Sequence, residues 1–408
     1  MKGRVAVIGS GMAGLAAAWL CRQRGYAVTL FEAHQGWGMD AHRLQVDGGV
    51  IDVPLRVMSP QAWPSVLALA HEVGVGTFPV STPLSCSWTD RQTWFRTGRL
   101  PILGWPWVGE WRYLDRRALG MARGLWQLRR LTRQLQEQPE LTLAQALQIQ
   151  PFDPLFWRGL VLPVLTTICT CSEEHLLAWP AAGLLQLLEG ILHGGGLCRL
   201  NGGTSALVQA LAKDLPIHAG SPVEQLCLQG DSVLVRNARG EGGCFERAVV
   251  ATQSNQLGFL DPAQFAEERR VLADIRFDRG ELWVHRDLRF MPQRQQDWTA
   301  LNFQTDRQLS QPMFSVWVNA VEPTLMGCAP VLQTWNPLYE PAPELVLARI
   351  PLQRTVVHGG TARVHQQLRE WHARPGRRVF FCGSWAHAGV PLLESAVRSA
   401  QAVVETID

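Results

Sequence analysis

Lysine is almost missing from this chain of 408 residues: Lys2 and Lys213 are its only two. Schiff-base chemistry and an ammonium acting through a water are thereby removed from nearly every mechanism. Basicity rests on arginine, and the formal net charge of +3 is too small to imply a nucleic-acid partner. No uninterrupted apolar run reaches the roughly 18 residues that a spanning helix needs. The N-terminus runs straight into a strand, with no basic, apolar leader, so a reduced, cytoplasmic setting is expected and peripheral membrane association stays open. Nine cysteines, an odd number at irregular spacing, do not form a disulfide framework. Cys169 and Cys171 stand too close for the usual zinc or redox spacing. They read as small apolar packing residues, and no metal is expected. Internal repeats and low-complexity linkers are also lacking.

What is present is an ordinary apolar content of 47% with 17 tryptophans. Tryptophan suits core filling, but also deep apolar pockets and wet-to-apolar boundaries, so a lipid-like or aromatic ligand gains ground. The length exceeds what one core serves well and suits two intertwined domains. Residues 4–8 (RVAVI) predict a buried strand, residues 9–14 (GSGMAG) a turn, residues 15–24 a helix of small and apolar side chains, and residues 27–32 (AVTLFE) a second, parallel strand. From about 84 to 195 the chain is rich in Trp, Leu and Arg, with helical periodicity over 111–135 and 173–192. After the glycines at 194–196, a helix over 204–215 and strands at 216–218, 223–228, 232–236 and 245–252 are expected. Strands at 281–285 and 313–318 belong to a second mixed region over 254–374. A strand over 378–383 then leads to a helix opened by Pro391, a favoured first-turn proline.

Gly9, Gly11 and Gly14 form a G-x-G-x-x-G in the required strand–turn–helix place. Gly9 permits the tight turn, Gly11 lets a pyrophosphate approach the backbone, and Gly14 lets the helix pack on the strand. Ser10, Met12 and Ala13 complete the loop, and the helix N-terminus faces the phosphates. Glu32, with Ala33 after it, ends the second strand, where a carboxylate accepts hydrogen bonds from ribose hydroxyls and repels a 2′-phosphate. Dinucleotide binding follows, and the fingerprint alone does not decide between NAD and FAD.

The distant segments do. Gly36-Trp37-Gly38-Met39-Asp40 is followed by Val46-Asp47-Gly48-Gly49-Val50-Ile51-Asp52-Val53-Pro54-Leu55-Arg56. In the middle stand Gly202-Gly203-Thr204 and Ser221-Pro222-Val223-Glu224. Near the end come Val379-Phe380-Phe381-Cys382-Gly383-Ser384-Trp385 and Pro391-Leu392-Leu393-Glu394-Ser395-Ala396. This ordered set resembles the flavin amine oxidase and phytoene desaturase superfamily of FAD-dependent oxidoreductases. More narrowly, it resembles a bacterial branch associated with cyclopropane-fatty-acid-type synthases. The resemblance runs through nearly the whole chain. It implies FAD as cofactor, with Val223 presenting its backbone to adenine and Gly383-Ser384 meeting the ribityl-phosphate stretch. The final helix, with Leu392, Leu393 and Ala396, would point at the pyrimidine edge of the flavin. Gly38, Met39, Asp40, Pro54, Leu55 and Arg56 would line the remaining path of the cofactor. Three departures stand out. The family's glycine pair is Gly38-Met39 here, its His-Glu-Asp-Gly segment is replaced by Val390-Pro391-Leu392-Leu393, and its lysine beside flavin N5 has no counterpart.

The expected fold is α/β joined to α+β. A discontinuous Rossmann-like FAD-binding domain of glutathione-reductase type takes residues 1–83, 196–253 and 375–408. A mixed, partly helical substrate domain takes 84–195 and 254–374. For catalysis the candidates are Arg56, able to anchor a carboxylate, to balance negative charge on the flavin, or to form a structural salt bridge, and His387, as acid/base or as a surface histidine. His285 and Asp287 read as a structural pair. Aromatics and arginines interleave over 99–135, which suits either a core-facing helix or a membrane interface. The functional expectation is hydride removal from an apolar small molecule, such as a lipid acyl chain or an isoprenoid-like compound. Oxidation of a small amine is one alternative. A low-turnover flavin-binding partner of a lipid-modifying enzyme is another.

Overall fold

Strand β1 (Arg4–Ile8) lies at the centre of a parallel five-stranded sheet in the computed structural model, which describes residues 2–38, 43–99, 106–108, 110–193 and 196–407. Across this sheet the order is β10 (Ile217–His218), β2 (Ala27–Phe31), β1, β14 (Arg247–Val250) and β20 (Val379–Phe381). Val5, Ala6 and Val7 are fully buried, because the strand is covered on both faces. This is why it reads as a continuous apolar run rather than an alternation. Helices α1 (Met12–Gln23), α2 (Pro64–Glu72), α9 (Gly203–Ala212) and α12 (Leu393–Thr406) pack on one face. Small residues let α1 and α12 approach closely: Ala13, Ala16 and Ala17 share a core with Ala396, Val397 and Ala400.

On the other face lies an antiparallel flap of β11 (Val223–Gln229), β12 (Ser232–Asn237) and β13 (Gly242–Phe245), whose Leu226, Val233 and Val235 meet Ala6, Ile8 and Val250. Helices α10 (Ala266–Leu272) and α11 (Thr361–His372) join the same core through Leu272, Val364, Leu368 and Trp371. The sequence division had placed both within the second domain. The stripe of Val364, Leu368 and Trp371 faces the parallel sheet instead, at helical spacing.

A second sheet has the order β19 (Val346–Val356), β15 (Arg276–His285), β18 (Leu332–Trp335), β17 (Pro312–Trp317), β16 (Leu301–Thr305), β6 (Leu84–Trp88), β7 (Thr93–Arg99) and β8 (Pro106–Val108). Helices α3 (Arg116–Leu135), α4 (Leu143–Ile149), α5 (Pro154–Phe156), α6 (Leu162–Cys169), α7 (Glu173–Leu177) and α8 (Ala181–His193) build a core with it, in which Trp94, Phe303 and Phe314 meet Leu131, Phe156 and Leu165. Cys169 and Cys171 are buried there, and burial pushes both thiols up, so they pack as small apolar groups. The hairpin of β3 (Leu44–Val46) and β4 (Gly49–Ile51) packs on the β15–β18 end through Val46, Ile51 and Val53 against Leu282, Val284 and Trp335. A short pair, β5 (Thr77–Pro79) with β9 (Cys198–Leu200), completes the strands.

The last helix starts at Leu393, not at Pro391. Val390 accepts the N–H of Leu392 at 2.7 Å and the hydroxyl of Ser395 at 2.7 Å, which closes a turn across Pro391 and leaves Leu392 extended as the N-cap. Among the described residues no helix is long and apolar enough to cross a membrane.

Candidate cofactor and active site

The three glycines of the loop after β1 have different physical reasons. Gly9 is held at a φ of 99°, where a side chain is strained, and a Cβ on Gly14 would lie 1.9 Å from the Gly9 carbonyl oxygen. Both are required by the fold itself. Gly11 is not: it has an ordinary φ of −59°, and a Cβ there would meet nothing within 4 Å. A residue left small at no demand of its own protein is what a ligand approaching the backbone requires. No side chain caps α1, whose N-cap is Gly11, so its first N–H groups point outward unpaired by any cap.

Glu32 stands beside this loop. It accepts the N–H of Ser10 at 2.9 Å and that of His34 at 2.9 Å, and Ser10 Oγ also donates to it. Ser10 Oγ in turn accepts the N–H of Gly38 at 2.8 Å, which draws the chain after β2 back to the loop. The exposed Ala33 separates the two anchored residues. Met39 and Asp40 lie outside the described residues. Buried hydroxyls of Ser221, before β11, and of Thr252, after β14, have no hydrogen-bond partner in the protein. Val223 opens β11 opposite Asn237.

At the other end of the sheet, Gly383 donates its N–H to Ser399 of α12 at 2.9 Å, and a Cβ on Gly383 would lie 2.4 Å from the indole nitrogen of Trp385. Ser384 opens the short turn that follows. The first turn of α12, with Leu392 and Leu393, also lacks a side-chain cap, and Ala396 is buried against α1. Two uncapped helix N-termini therefore belong to helices packed on one another.

Residues 52–56 are fixed by a buried polar network that the sequence reading missed. Arg199 donates to Val321 O at 2.7 Å and Glu322 Oε2 at 2.6 Å, and lies 3.6 Å from Asp52. Its Nε reaches the carbonyl of Arg56 at 3.3 Å. Asp52 also accepts from Thr204 Oγ1 at 2.7 Å, and Gln333 bridges by donating to Asp52 O and accepting from Leu55 N, both at 2.8 Å. The tight Gly202-Gly203-Thr204 turn was the only local signal, since a Cβ on Gly203 would come within 2.9 Å of that carboxylate.

This network presents Pro54, Leu55 and Arg56 to the β15–β19 end of the second sheet. Leu55, Ile350 and Leu352 belong to one apolar cluster. Arg354 follows Leu352 on the same face of β19, since side chains alternate along a strand. Val356, next on that face, belongs to the core against which Val390 packs. We take the region bounded by the 54–56 segment, this face of β19 and the approach to α12 as the candidate substrate recess. Burial pulls Arg56 down to about 9, Asp52 opposing and Arg354 adding to the fall, and burial lowers Arg354 as well. Both side chains keep some accessible surface. Among the described residues Arg56 has no salt-bridge partner; its Nη1 donates to Pro54 O at 2.8 Å.

His387 is half-buried, with Nδ1 2.8 Å from the carbonyl of Ala388. Lys2 precedes β1 and Lys213 ends α9, so neither lies on a segment that borders the recess. His285 is buried, its Nε2 3.0 Å from Thr334 Oγ1, and burial keeps it neutral down to about 4. The Asp287 carboxylate is held by Arg289, and only the Asp287 N–H reaches His285 Nδ1, at 3.3 Å.

The model of flavin containing amine oxidoreductases matches residues 12–279, well over half of the chain. The protein belongs to this family. No curated protein matches it significantly. Among solved structures it is similar to putrescine oxidase bound to putrescine (14% identity, 100% of this chain and 99% of that one, TM-score 0.69) and to cyclohexylamine oxidase from Brevibacterium oxydans IH-35A (15%, 99% of each, TM-score 0.69). It is equally similar to the CLA-producing fatty acid isomerase from P. acnes (15%, 99% and 98%, TM-score 0.69). At these identities the likeness is one of fold. The chain is an FAD-dependent oxidoreductase with a mixed α/β fold. The open space at Gly11, the two uncapped helix N-termini and the unpaired Ser221 and Thr252 hydroxyls fit such a cofactor. When bound, FAD would supply the redox chemistry, and the residues around it would hold and orient it.

Proposed function

We propose that the protein removes a hydride from an apolar substrate, a lipid acyl chain or an isoprenoid-like molecule. In this reading the parallel sheet and its flap form a discontinuous Rossmann-like domain of glutathione-reductase type, from residues 1–83, 196–253 and 375–408, with α10 and α11 added to it. The second sheet with α3–α8 forms the substrate domain. The residues from Gly9 to Gly14 and the α1 N-terminus hold the pyrophosphate, Glu32 with Ala33 the adenosine ribose, and Val223 the adenine. Gly38 closes over the loop. Gly383 and Ser384, with Leu392, Leu393 and Ala396 of α12, receive the ribityl and pyrimidine portions, and Pro54, Leu55 and Arg56 face the reacting side.

The observation that carries the substrate reading is the character of the recess. Leu55, Ile350 and Leu352 give it an apolar side, and the guanidiniums of Arg56 and Arg354 bring positive charge to it. An ammonium would be repelled by both, which disfavours the amine oxidation named for two of the fold neighbours. A fatty acid isomerase with the same fold is consistent with an acyl chain. The chain's own contribution is to orient the substrate and keep the recess dry. Arg56 acts there as a charge, and His387, bonded to its own segment, takes no part in this assignment.

The test is anaerobic mixing of the purified holoprotein with acyl-chain lipids, and separately with amines, while the flavin absorbance is followed. Bleaching by lipids and not by amines is expected. Bleaching by amines alone overturns the reading, and no bleaching by either returns the protein to a low-turnover partner of another lipid-modifying enzyme. The apolar substrate also gives α3 a role. We assign its outward face, which carries arginines with Leu119 and Trp126, to peripheral contact with a membrane. Trp105, in the same stretch, lies outside the described residues.

A further inference from the structure

Two like charges share the recess, and among the described residues no carboxylate is committed to either. Asp52 attracts Arg56 from a distance, but its oxygens are taken up by Thr204 and Arg199. Arg354 has a buried Nε with no acceptor. Directly across from it in the β15–β19 register stands Asp278, whose carboxylate is engaged by Ser172 N at 2.8 Å, His175 Nδ1 at 2.9 Å and its neighbour Arg279 N at 2.8 Å. The side chains on either side of the pair are apolar: Leu55 precedes Arg56, and Leu352 and Val356 flank Arg354 on its strand face.

Holding two unneutralised guanidiniums in such a place is unfavourable, and an anion between them reverses the sign of the interaction. A guanidinium presents parallel N–H groups that match the two oxygens of a carboxylate, which a lysine would not do. The 52–56 network, through Arg199 on the Arg56 carbonyl, fixes one arm of the pair, and the β15–β19 ladder fixes the other.

We propose that Arg56 and Arg354 clamp the carboxylate of an amphipathic acid whose apolar chain lies along Leu55, Ile350 and Leu352. The substrate class is then a long-chain carboxylic acid. This rests on the apolar-substrate reading and sharpens it.

Calorimetric titration of the holoprotein with decanoate, decan-1-ol and decylamine tests the clamp without requiring turnover. Decanoate binds at least tenfold more tightly than decan-1-ol, and decylamine more weakly than either. Arg354→Met and Arg56→Met erase the preference for the acid and leave the affinity for decan-1-ol unchanged. Arg354→Gln, which keeps hydrogen bonding without charge, serves if Arg354→Met does not fold. Equal affinities for acid and alcohol in the parent protein overturn the clamp. So does an undiminished acid preference in the variants, and a loss of flavin from them with the acid-to-alcohol ratio intact would give the pair to the cofactor instead. Failure of the two readings is distinguishable. An acid that binds selectively but does not bleach the flavin sinks the oxidation and leaves the clamp, whereas lipid bleaching without acid selectivity does the reverse.

Discussion

Glu32 and Ser10 are bound to each other twice, the Ser10 N–H reaching Glu32 Oε2 at 2.9 Å and the Ser10 hydroxyl donating to the same oxygen. The end of β2 is thereby pinned to the loop after β1, and the carboxylate is oriented before any ligand arrives. With the other oxygen on His34 N–H, the group keeps acceptor capacity for ribose hydroxyls. Glu32→Ala leaves those hydroxyls unpaired, at roughly 1–3 kcal/mol. FAD affinity should fall by about tenfold or more at 1.4 kcal/mol per decade. Titration of the apoprotein with FAD reads this directly, and an unchanged dissociation constant would mean that another acid holds the ribose.

Gly11 and Gly14 should fail in different ways. A Cβ on Gly14 runs into the Gly9 carbonyl at 1.9 Å, so Gly14→Val should not fold, or should lose more than the ~1–3 kcal/mol usual for overpacking. Gly11→Val has open space around its Cβ and should fold with an unchanged far-ultraviolet spectrum, yet purify colourless. A yellow Gly11→Val protein with one FAD per chain would remove the cofactor from this loop.

Acid should loosen the C-terminal strand. His372 Nε2 accepts the N–H of Phe381 at 3.0 Å, and burial, helped by Arg377, holds its pKa down at about 3. An unfolded histidine titrates near 6.5, so between about 6.5 and 3 the unfolded chain binds more protons. The stability from His372 is complete above about pH 6.5 and is lost as pH falls toward 3. His285, held at about 4 by burial, adds in the same direction. Thermal melts from neutral to acid pH should show the slope, and His372→Gln, an acceptor that does not titrate, should flatten it. Equal slopes in parent and variant would remove His372 from the acid response.

The β1–loop–α1–β2 unit was legible because its signals are local. A continuous apolar run, three glycines and a terminal acid lie within one stretch; the backbone itself requires Gly9 and Gly14, while Gly11 leaves space that the protein does not need. Arg56 stood out in the sequence as a charge in the segment expected to pass the flavin, but its environment was not legible. Arg354 lies on an alternating strand with no motif around it, and its relation to Arg56 emerges only from the β15–β19 register and from the packing of Leu352 and Leu55 against one apolar cluster. Arg199 reads from sequence as one more surface arginine, although it is 1% exposed and joins Asp52, Glu322 and the Arg56 carbonyl across three segments. The placement of α10 and α11 was missed for a related reason. Amphipathic periodicity says that a helix has an apolar face and not which sheet it will cover.

The outward face of α3 should bind anionic membranes. Met121, Gly124, Leu128, Leu131 and Leu135 turn inward, which accounts for the helix as a core element. It does not account for Leu119 at 68% exposure or Trp126 at 62%, which share the outward face with Arg116, Arg123, Arg130 and Arg133. Trp111 and Leu114, just before the helix, are exposed as well. The helix contains six arginines and no acidic residue, so nothing on it neutralises the face. Such a surface suits acidic headgroups with the indole at the interfacial boundary. Each basic residue near a negatively charged bilayer contributes about 1 kcal/mol. Replacing Arg123 and Arg130 with alanine should therefore weaken binding to phosphatidylserine-containing vesicles about thirtyfold, from about 2 kcal/mol at 1.4 per decade. Added salt should weaken the parent in the same way, by screening exposed charges. Trp126→Ala should lower binding to neutral phosphatidylcholine vesicles too, because it removes apolar contact rather than charge. Flavin content and decanoate binding should not change in either variant, since these exposed side chains belong neither to the cofactor loop nor to the Arg56–Arg354 pair. Co-sedimentation of the holoprotein with both kinds of vesicle makes the measurement, and a parent protein that stays in the supernatant with anionic vesicles at low salt would overturn the assignment.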